Sequence, residues 1–286
     1  KAGARVEVDT EKRNPHDFAV WIKAPENHLM KWDSPWGPSY PGWHIECSVM
    51  SQKYLGEVFD IHTGGIDLIP THHENEIAQS KGMCGKIPAN YWMHGEFLLI
   101  NGGKMSKSLG NVYLLQDIVD RGYDPLVYKL FCYSIQYRKK LNFTWEGMDS
   151  AKIALDRLRE AYQKHLTGTE DVAEELISKY EKDFNEAIND DLNMPVAMSV
   201  VWEVAKRTEK SKKVAELLKK FDRVLGIKID EHKEEEIPDD IKELLTKRVE
   251  ARKNKDWAES DKIRDIIKEK GYIVKDSKEG QTVEKC

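Results

Sequence analysis

The run Gly102-Gly103-Lys104-Met105-Ser106-Lys107-Ser108-Leu109-Gly110-Asn111 decides the reading of this chain. Two lysines three positions apart stand in a loop that opens on two glycines and closes on a third. Glycine lets the backbone come close to a ligand, serine offers hydroxyl and amide donors, and each ammonium is a point charge for phosphate oxygen. Such a loop suits a mobile clamp on a polyphosphate, with Ser106 and Ser108 as further phosphate donors; the bland alternative is an ordinary Lys/Ser surface loop. Before it, Phe18-Ala19-Val20-Trp21, Val58-Phe59-Asp60-Ile61 and Phe97-Leu98-Leu99-Ile100 read as strands separated by Gly/Pro turns and helical stretches. That alternation predicts an α/β unit with a largely parallel sheet. After it, from about residue 112, the pattern turns helical: Ile153, Leu155, Leu158 and Tyr162 recur at helical spacing, as do Val196, Val200, Val201 and Val204.

The 286 residues exceed what one core usually holds, so two or three units are expected. Composition marks the first division: five of the eight tryptophans and seven of the ten prolines precede residue 111. Residues 230–240, with Glu234-Glu235-Glu236 and Pro238, read as a charged linker, and residues 241–286 as a last unit of two amphipathic helices and a strand at Tyr272-Ile273-Val274. The expected organisation is a catalytic part over 1–111, a connecting region over 112–150, a helical bundle over 151–229 and the small unit over 241–286. No apolar run approaches the ~20 residues that span a bilayer, and Lys1-Ala2-Gly3-Ala4-Arg5 opens no signal-peptide core. Cys47, Cys84, Cys132 and Cys286 are too scattered for a disulfide framework, which favours a reducing cytoplasm. With a net charge of −5, affinity for nucleic acid has to rest on local patches.

A second constellation is Cys47, His62, His72, His73 and Glu76. Thr71 and Glu74 form a capping-box pattern that predicts a helix from His72, which puts His72 and Glu76 at i and i+4 on one face. Cys47 lies 25 residues upstream and has to be brought in by the fold. A thiolate, an imidazole and a carboxylate suit a tetrahedral zinc site. By spacing alone, a buried cysteine beside helix-capping polar residues fits as well.

Several motifs resemble those of cysteinyl-tRNA synthetases, which belong to class I of the aminoacyl-tRNA synthetases. They are Arg13-Asn14-Pro15, Ser34-Pro35-Trp36-Gly37, Pro41-Gly42-Trp43-His44-Ile45-Glu46-Cys47-Ser48, Phe59-Asp60-Ile61-His62, and His72-His73-Glu74-Asn75-Glu76-Ile77-Ala78-Gln79-Ser80. Tyr91-Trp92-Met93-His94, the Lys104-Met105-Ser106-Lys107-Ser108 signature, Asp190-Asp191-Leu192-Asn193 and Lys255-Asp256-Trp257-Ala258 follow in order. The resemblance implies that Cys47, His72 and Glu76 bind zinc, that Trp43 lines a cysteine pocket, and that Lys107 contacts ATP. It implies a Rossmann-like α/β catalytic part (its second half), then an α-helical bundle, then a small anticodon-binding unit. The activity implied is ATP- and magnesium-dependent activation of cysteine and its transfer to the 3′ end of cysteine tRNA, by a monomer in the cytoplasm, with Lys104 and Lys107 stabilising phosphate charge.

The chemistry agrees with that implication. Serine differs from cysteine by one atom, so shape alone separates them poorly, whereas zinc with an open position takes a thiolate in preference to a hydroxyl. His62 and His73 are expected to orient the ligands. In residues 241–286, 13 basic residues face 10 acidic ones, and Arg252, Trp257, Asp261 and Arg264 offer cations, a stacking ring and a carboxylate for an unpaired base, with Asp276 a further candidate. The plain alternative makes Trp257 the centre of a small core. The family's His-x-Gly-His motif and first zinc-binding cysteine do not occur in this sequence, which is expected of a fragment holding three of four zinc ligands and one of two ATP signatures. A noncatalytic tRNA-binding fragment, or a ligase joining cysteine to an amino sugar, are the alternatives.

Overall fold

The computed structural model describes residues 12–231, 238–277 and 280–285. The chain divides into two compact units, Lys1–Glu231 and His232–Cys286.

In the first unit β1 (Trp21–Lys23) pairs antiparallel with β2 (Ser39–Pro41), which leads into α1 (Trp43–Leu55). β3 (Phe59–Gly65) and β4 (Ala89–Gly95) then pair in parallel, with Phe59 opposite Ala89 and Gly65 opposite Gly95. Parallel neighbours need a crossover, and here it is a short 3₁₀ turn (Ile66–Leu68), a π turn (Ile69–His73) and α2 (Glu74–Cys84). β5 (Leu98–Ile100) turns sharply into β6 (Gly103–Lys104) and takes β7 (Leu141–Phe143) as its parallel partner on the other side. The expected largely parallel sheet is therefore present as separate small sheets, two of them containing a parallel pair. The α/β part is followed by helices, as the fold class requires.

Between β6 and β7 run α3 (Leu115–Asp120) and α4 (Pro125–Cys132). The bundle is α5 (Trp145–Leu166), α6 (Glu174–Asn189), α7 (Met194–Ala205) and α8 (Lys212–Leu225). α5 starts where the Thr144 hydroxyl accepts the Gly147 amide at 3.0 Å, a side-chain N-cap. It runs uninterrupted across residue 150, so the connecting region and the bundle share one helix. Leu155, Leu158, Val201, Val204, Val214 and Leu218 are buried together, and Phe184 stacks on Phe221 at 4.1 Å between centroids. Two of the expected core positions are exposed. Ile153 is two residues before Leu155, some 200° round the helix, and Val196 is one position off the stripe Ala197, Val201, Val204 that faces the core.

The second unit holds α9 (Asp239–Lys253), α10 (Trp257–Glu269) and the hairpin β8 (Tyr272–Ser277) with β9 (Gly280–Lys285). Ile263, Ile267 and Val274 make its core, with Leu244, Leu245 and Tyr272 packed against them. Most of the expected linker, residues 232–237, lies outside the described residues; Asp230 pairs with Lys219, and Asp239 and Asp240 already belong to α9.

Arg248 of α9 is 2% exposed and grips Asp276 of β8 bidentately, with both N–O distances 2.9 Å, while its Nη1 also reaches Gln281 at 2.6 Å. These arginine contacts, joined by Arg252 at 2.5 Å from the same carboxylate, hold the Asp276 carboxyl far below the usual carboxylate range. Its folded pKa lies below its unfolded one, so the pair stabilises the unit fully above about pH 4, and that contribution is lost as pH falls through the folded value. Asp276→Asn is expected to lower the unit's stability by about 1–3 kcal/mol at neutral pH, because it leaves the Arg248 guanidinium buried with a weakened partner. Thermal unfolding of parent and variant at pH 7 and at pH 3 checks this: the gap between them should narrow at the lower pH.

Candidate metal centre

α1 sets the first wall of the site. Gly42 precedes it where a Cβ would fall 2.6 Å from the Ala19 carbonyl oxygen, so only glycine fits the approach. Trp43, His44 and Cys47 then project from the first helical turns, with Cys47 one turn beyond the two rings. The second wall is the segment 69–76. The expected capping box is not formed: no side chain caps this segment, and Thr71 lies inside the π turn rather than at a helix start. The turn carries Pro70 at its beginning, and its wider winding leads directly into α2. His72 and His73, adjacent in sequence, are both buried, at 4% and 3% exposure, and Glu76 one turn on is 2% exposed. β3 adds His62, and the parallel register places Trp92 of β4 opposite it, with His94 two residues further along.

One ligand atom from each of Cys47, His72 and Glu76 lies within 4.8 Å of the others. His72 Nε2 is 2.6 Å from Glu76 Oε1, yet the pair is not aligned as a hydrogen bond and Oε1 is buried without a partner. The other carboxylate oxygen, Oε2, is held by His62 Nε2 at 2.7 Å, and His72 Nδ1 is held by His44 Nδ1 at 2.7 Å. Two lone-pair donors thus face each other beside a thiol, each held from behind by an imidazole; a hydrogen bond from behind is the device that orients metal ligands. This soft, mixed donor set fits a zinc ion.

Burial dominates the electrostatics of the group. Burial, followed by the nearby Glu76 and Glu46 carboxylates, pushes the Cys47 thiol up. Burial also pushes the Glu76 carboxyl up against the opposing pull of His62. Burial first, then the neighbouring His44 and His62, lowers His72. His73 is lowered to about 4, again by burial first and then by His62, His94 and His72, so it is neutral at pH 7. The Trp43 ring lies against the His72 ring, 4.3 Å away between centroids, and is itself 60% exposed.

The structure gathers more residues than the sequence reading assigned. His62, His73 and Glu76 form a second group of donors within 4.8 Å, and His73 continues to His94 at 2.8 Å. A Cβ on Gly64 would fall 2.8 Å from His73 Nε2, so this glycine makes room for the ring. His44 and His94 had a signal in the sequence: each lies in a histidine-bearing motif, His44 three residues before Cys47.

The Lys104 loop leaves a two-residue hairpin turn in which Asn101 (φ 49°) and Gly102 (φ 77°) are both left-handed, the Asn-Gly turn typical of tight hairpins. Lys104, Lys107 and Ser108 are exposed, Ser106 Oγ and Ser108 Oγ are 2.7 Å apart, and among the described residues neither lysine is paired with a carboxylate. In the second unit Trp257 is 59% exposed at the start of α10, outside the small core, and Asp261 is exposed one turn on. Asp276 and Arg252 are joined to each other, and Arg264 lies 3.9 Å from Asp261.

Comparison with known proteins bears directly on these sites. Residues 1–153 match the family profile described as the tRNA synthetases class I (C) catalytic domain, residues 183–230 a DALR domain, and residues 234–283 the cysteinyl-tRNA ligase anticodon binding domain. The chain belongs to the cysteinyl-tRNA synthetase family. Among the family's curated members, cysteine–tRNA ligase 1 of Burkholderia lata is 43% identical over 98% of this chain and 60% of its own length. A cysteine–tRNA ligase of Bacillus cereus is 44% identical over 97% of this chain and 63% of its own length. The chain therefore spans about three fifths of the length of these relatives. The fold is also similar to that of the crystallised ternary LeuRS–tRNA–LeuAMS complex of Agrobacterium radiobacter K84, with a TM-score of 0.52 at 15% identity, over 69% of this chain and 32% of that one. Among the described residues, no helix is long and apolar enough to cross a membrane.

Proposed function

We propose that this chain serves a cytoplasmic, monomeric cysteine–tRNA ligase, in which ATP activates cysteine and the cysteinyl group then passes to the 3′ end of cysteine tRNA. The observation that carries the reading is the convergence of Cys47, His72 and Glu76 beside Trp43, with Glu76 Oε1 buried and making no hydrogen bond. When bound, zinc would supply a soft position that accepts a thiolate and discriminates against a neutral hydroxyl. Cys47, His72 and Glu76 would hold it, with His44 and His62 fixing the orientation of His72 and Glu76 from behind. Trp43 would close over the amino-acid side chain and exclude water from it.

Lys104 and Lys107 would bind the phosphates of magnesium-bound ATP, with Ser106 and Ser108 as additional donors. Their charge would matter most as pyrophosphate leaves, when negative charge builds on the departing oxygens. No side chain of the chain is needed as a nucleophile, because the substrate carboxylate attacks the α-phosphorus. The activity proposed is that of a ligase-length protein carrying this chain.

The second unit would read the anticodon through Trp257, Asp261 and Arg252, with Asp276 holding Arg252 in place. The exposure of Trp257 favours a stacking role over a core role. Trp257→Ala is expected to weaken productive tRNA binding about tenfold or more, the scale of losing one base–aromatic stack. Asp261→Ala is expected to lower charging of the cysteine tRNA, and both variants should leave cysteine activation intact. Charging assays on a ligase-length protein carrying this chain, with cysteine tRNA and an anticodon-swapped tRNA, test the assignment. If Asp261→Ala charges both tRNAs as the parent does, that residue does not read the anticodon.

A further inference from the structure

One side chain ties both ends of the Lys104 loop. Asn111 Nδ2 donates to the Lys104 carbonyl at 3.0 Å, and Asn111 Oδ1 accepts from the Ser106 amide at 2.8 Å. A single amide group thus closes the chain from Lys104 to Asn111 into a ring. Inside the ring Met105 packs against the main core, Lys107–Leu109 wind into a 3₁₀ turn, and Gly110 leaves it at φ 64° in the left-handed region. The root of the loop is held separately. Asn142, next to β5 in the β7 strand, accepts the Gly102 amide on its Oδ1 at 2.6 Å, and the Asn101 amide donates to the Phe143 carbonyl at 3.0 Å. The hairpin is thereby fixed by β7, and the ring beyond it by Asn111.

We propose that Asn111 is the positioning residue of this loop: its side-chain amide holds Lys104 and Lys107 preorganised for the triphosphate of ATP. This rests on the ATP reading given above. Asn111 acts through the backbone of Lys104 and Ser106 and offers its own side-chain atoms to the loop rather than to the ligand. The site demands a group that donates and accepts at once. Aspartate would keep the Ser106 bond but set an anionic oxygen against the Lys104 carbonyl, and alanine would supply neither bond. Both lysine side chains are ordered on binding in any case; without the ring, each binding event would also have to order the backbone of a glycine-flanked loop, which weakens binding and misplaces the charges.

Trypsin cuts after lysine, so the bonds following Lys104 and Lys107 report the ring directly. In the folded chain, Asn111→Ala is expected to raise cleavage at those two bonds about tenfold or more, with the melting temperature and cleavage elsewhere unchanged, as for a local opening that has lost two hydrogen bonds. In a ligase-length protein carrying this chain, the same variant should raise the KM for ATP in cysteine-dependent ATP–pyrophosphate exchange about tenfold and leave the KM for cysteine unmoved. Asn111→Asp should not restore the parent's ATP KM. Parental cleavage in Asn111→Ala, an unmoved ATP KM, or a general fall in melting temperature with cleavage at lysines throughout the chain would each overturn the assignment. A folded ligase-length parent that shows no exchange at all would instead remove the ATP reading, and this inference with it.

Discussion

Replacing Cys47 by alanine is expected to empty the metal centre and, in a ligase-length protein carrying this chain, to abolish the preference for cysteine over serine. The three donors are within 4.8 Å of one another, and removing the thiolate takes away the one soft ligand and leaves only His72 and Glu76 of that group. Loss of an outer partner such as His62 typically lowers metal affinity ~10–100-fold, and loss of a direct ligand should cost more than that. Elemental analysis of the ligase-length parent should find about one zinc per chain, as a tetrahedral site requires. The present chain, bringing three donors, should hold zinc more weakly, and Cys47→Ala should hold essentially none. Activation of cysteine and of serine, measured side by side, gives the functional readout. A metal-free ligase-length protein that still prefers cysteine would sink the selectivity argument while leaving the structural site intact.

The second large effect is expected at Lys107. Lys107→Ala should slow cysteine-dependent ATP–pyrophosphate exchange by ~10²-fold, corresponding to about 3 kcal/mol of lost transition-state stabilisation, with little change in cysteine binding. The exposed ammonium has no carboxylate partner among the described residues, so its removal leaves no charge behind and should not disturb folding. The division of the effect is the test. An interaction made with the departing phosphates appears in the exchange rate, whereas a loop needed only for architecture would depress exchange and cysteine affinity together. The Asn111 variants complement this experiment, because they disturb where the lysines stand without removing either charge.

The amino-acid sequence by itself determined most of what depends on near neighbours. The glycine-flanked lysine loop, the helix-spaced pair His72 and Glu76, the strands at residues 58–61, 97–100 and 272–274, and the helical character of the second half are all set by periodicities of two or about three and a half residues or by a few adjacent side chains. The order of the motifs likewise fixed the family. What the sequence missed locally was the winding of residues 69–73: a capping-box pattern was present at Thr71 and Glu74, but Pro70 and the burial of two consecutive histidines go with a π turn instead.

Only the tertiary structure decided how distant residues meet. Cys47 reaches His72 and Glu76 because α1 packs against α2, and His62 meets Glu76 while His94 meets His73 because β3 and β4 pair in one particular parallel register. A shift of one residue in that register would turn the histidines to the opposite face. The same holds in the second unit. Residue type by itself favoured a core place for Trp257, and packing decided otherwise: Ile263 and Ile267 occupy the face of α10 that meets Leu244, Leu245 and Val274, which leaves Trp257 in solvent. Asp276, a base-reading candidate by its type, is held by Arg248 across 28 residues of chain, because the buried guanidinium needs a carboxylate and the hairpin is the element that brings one. Spacing rules end at about one helical turn or one strand, and beyond that length the identity of a residue's partner is a property of the fold.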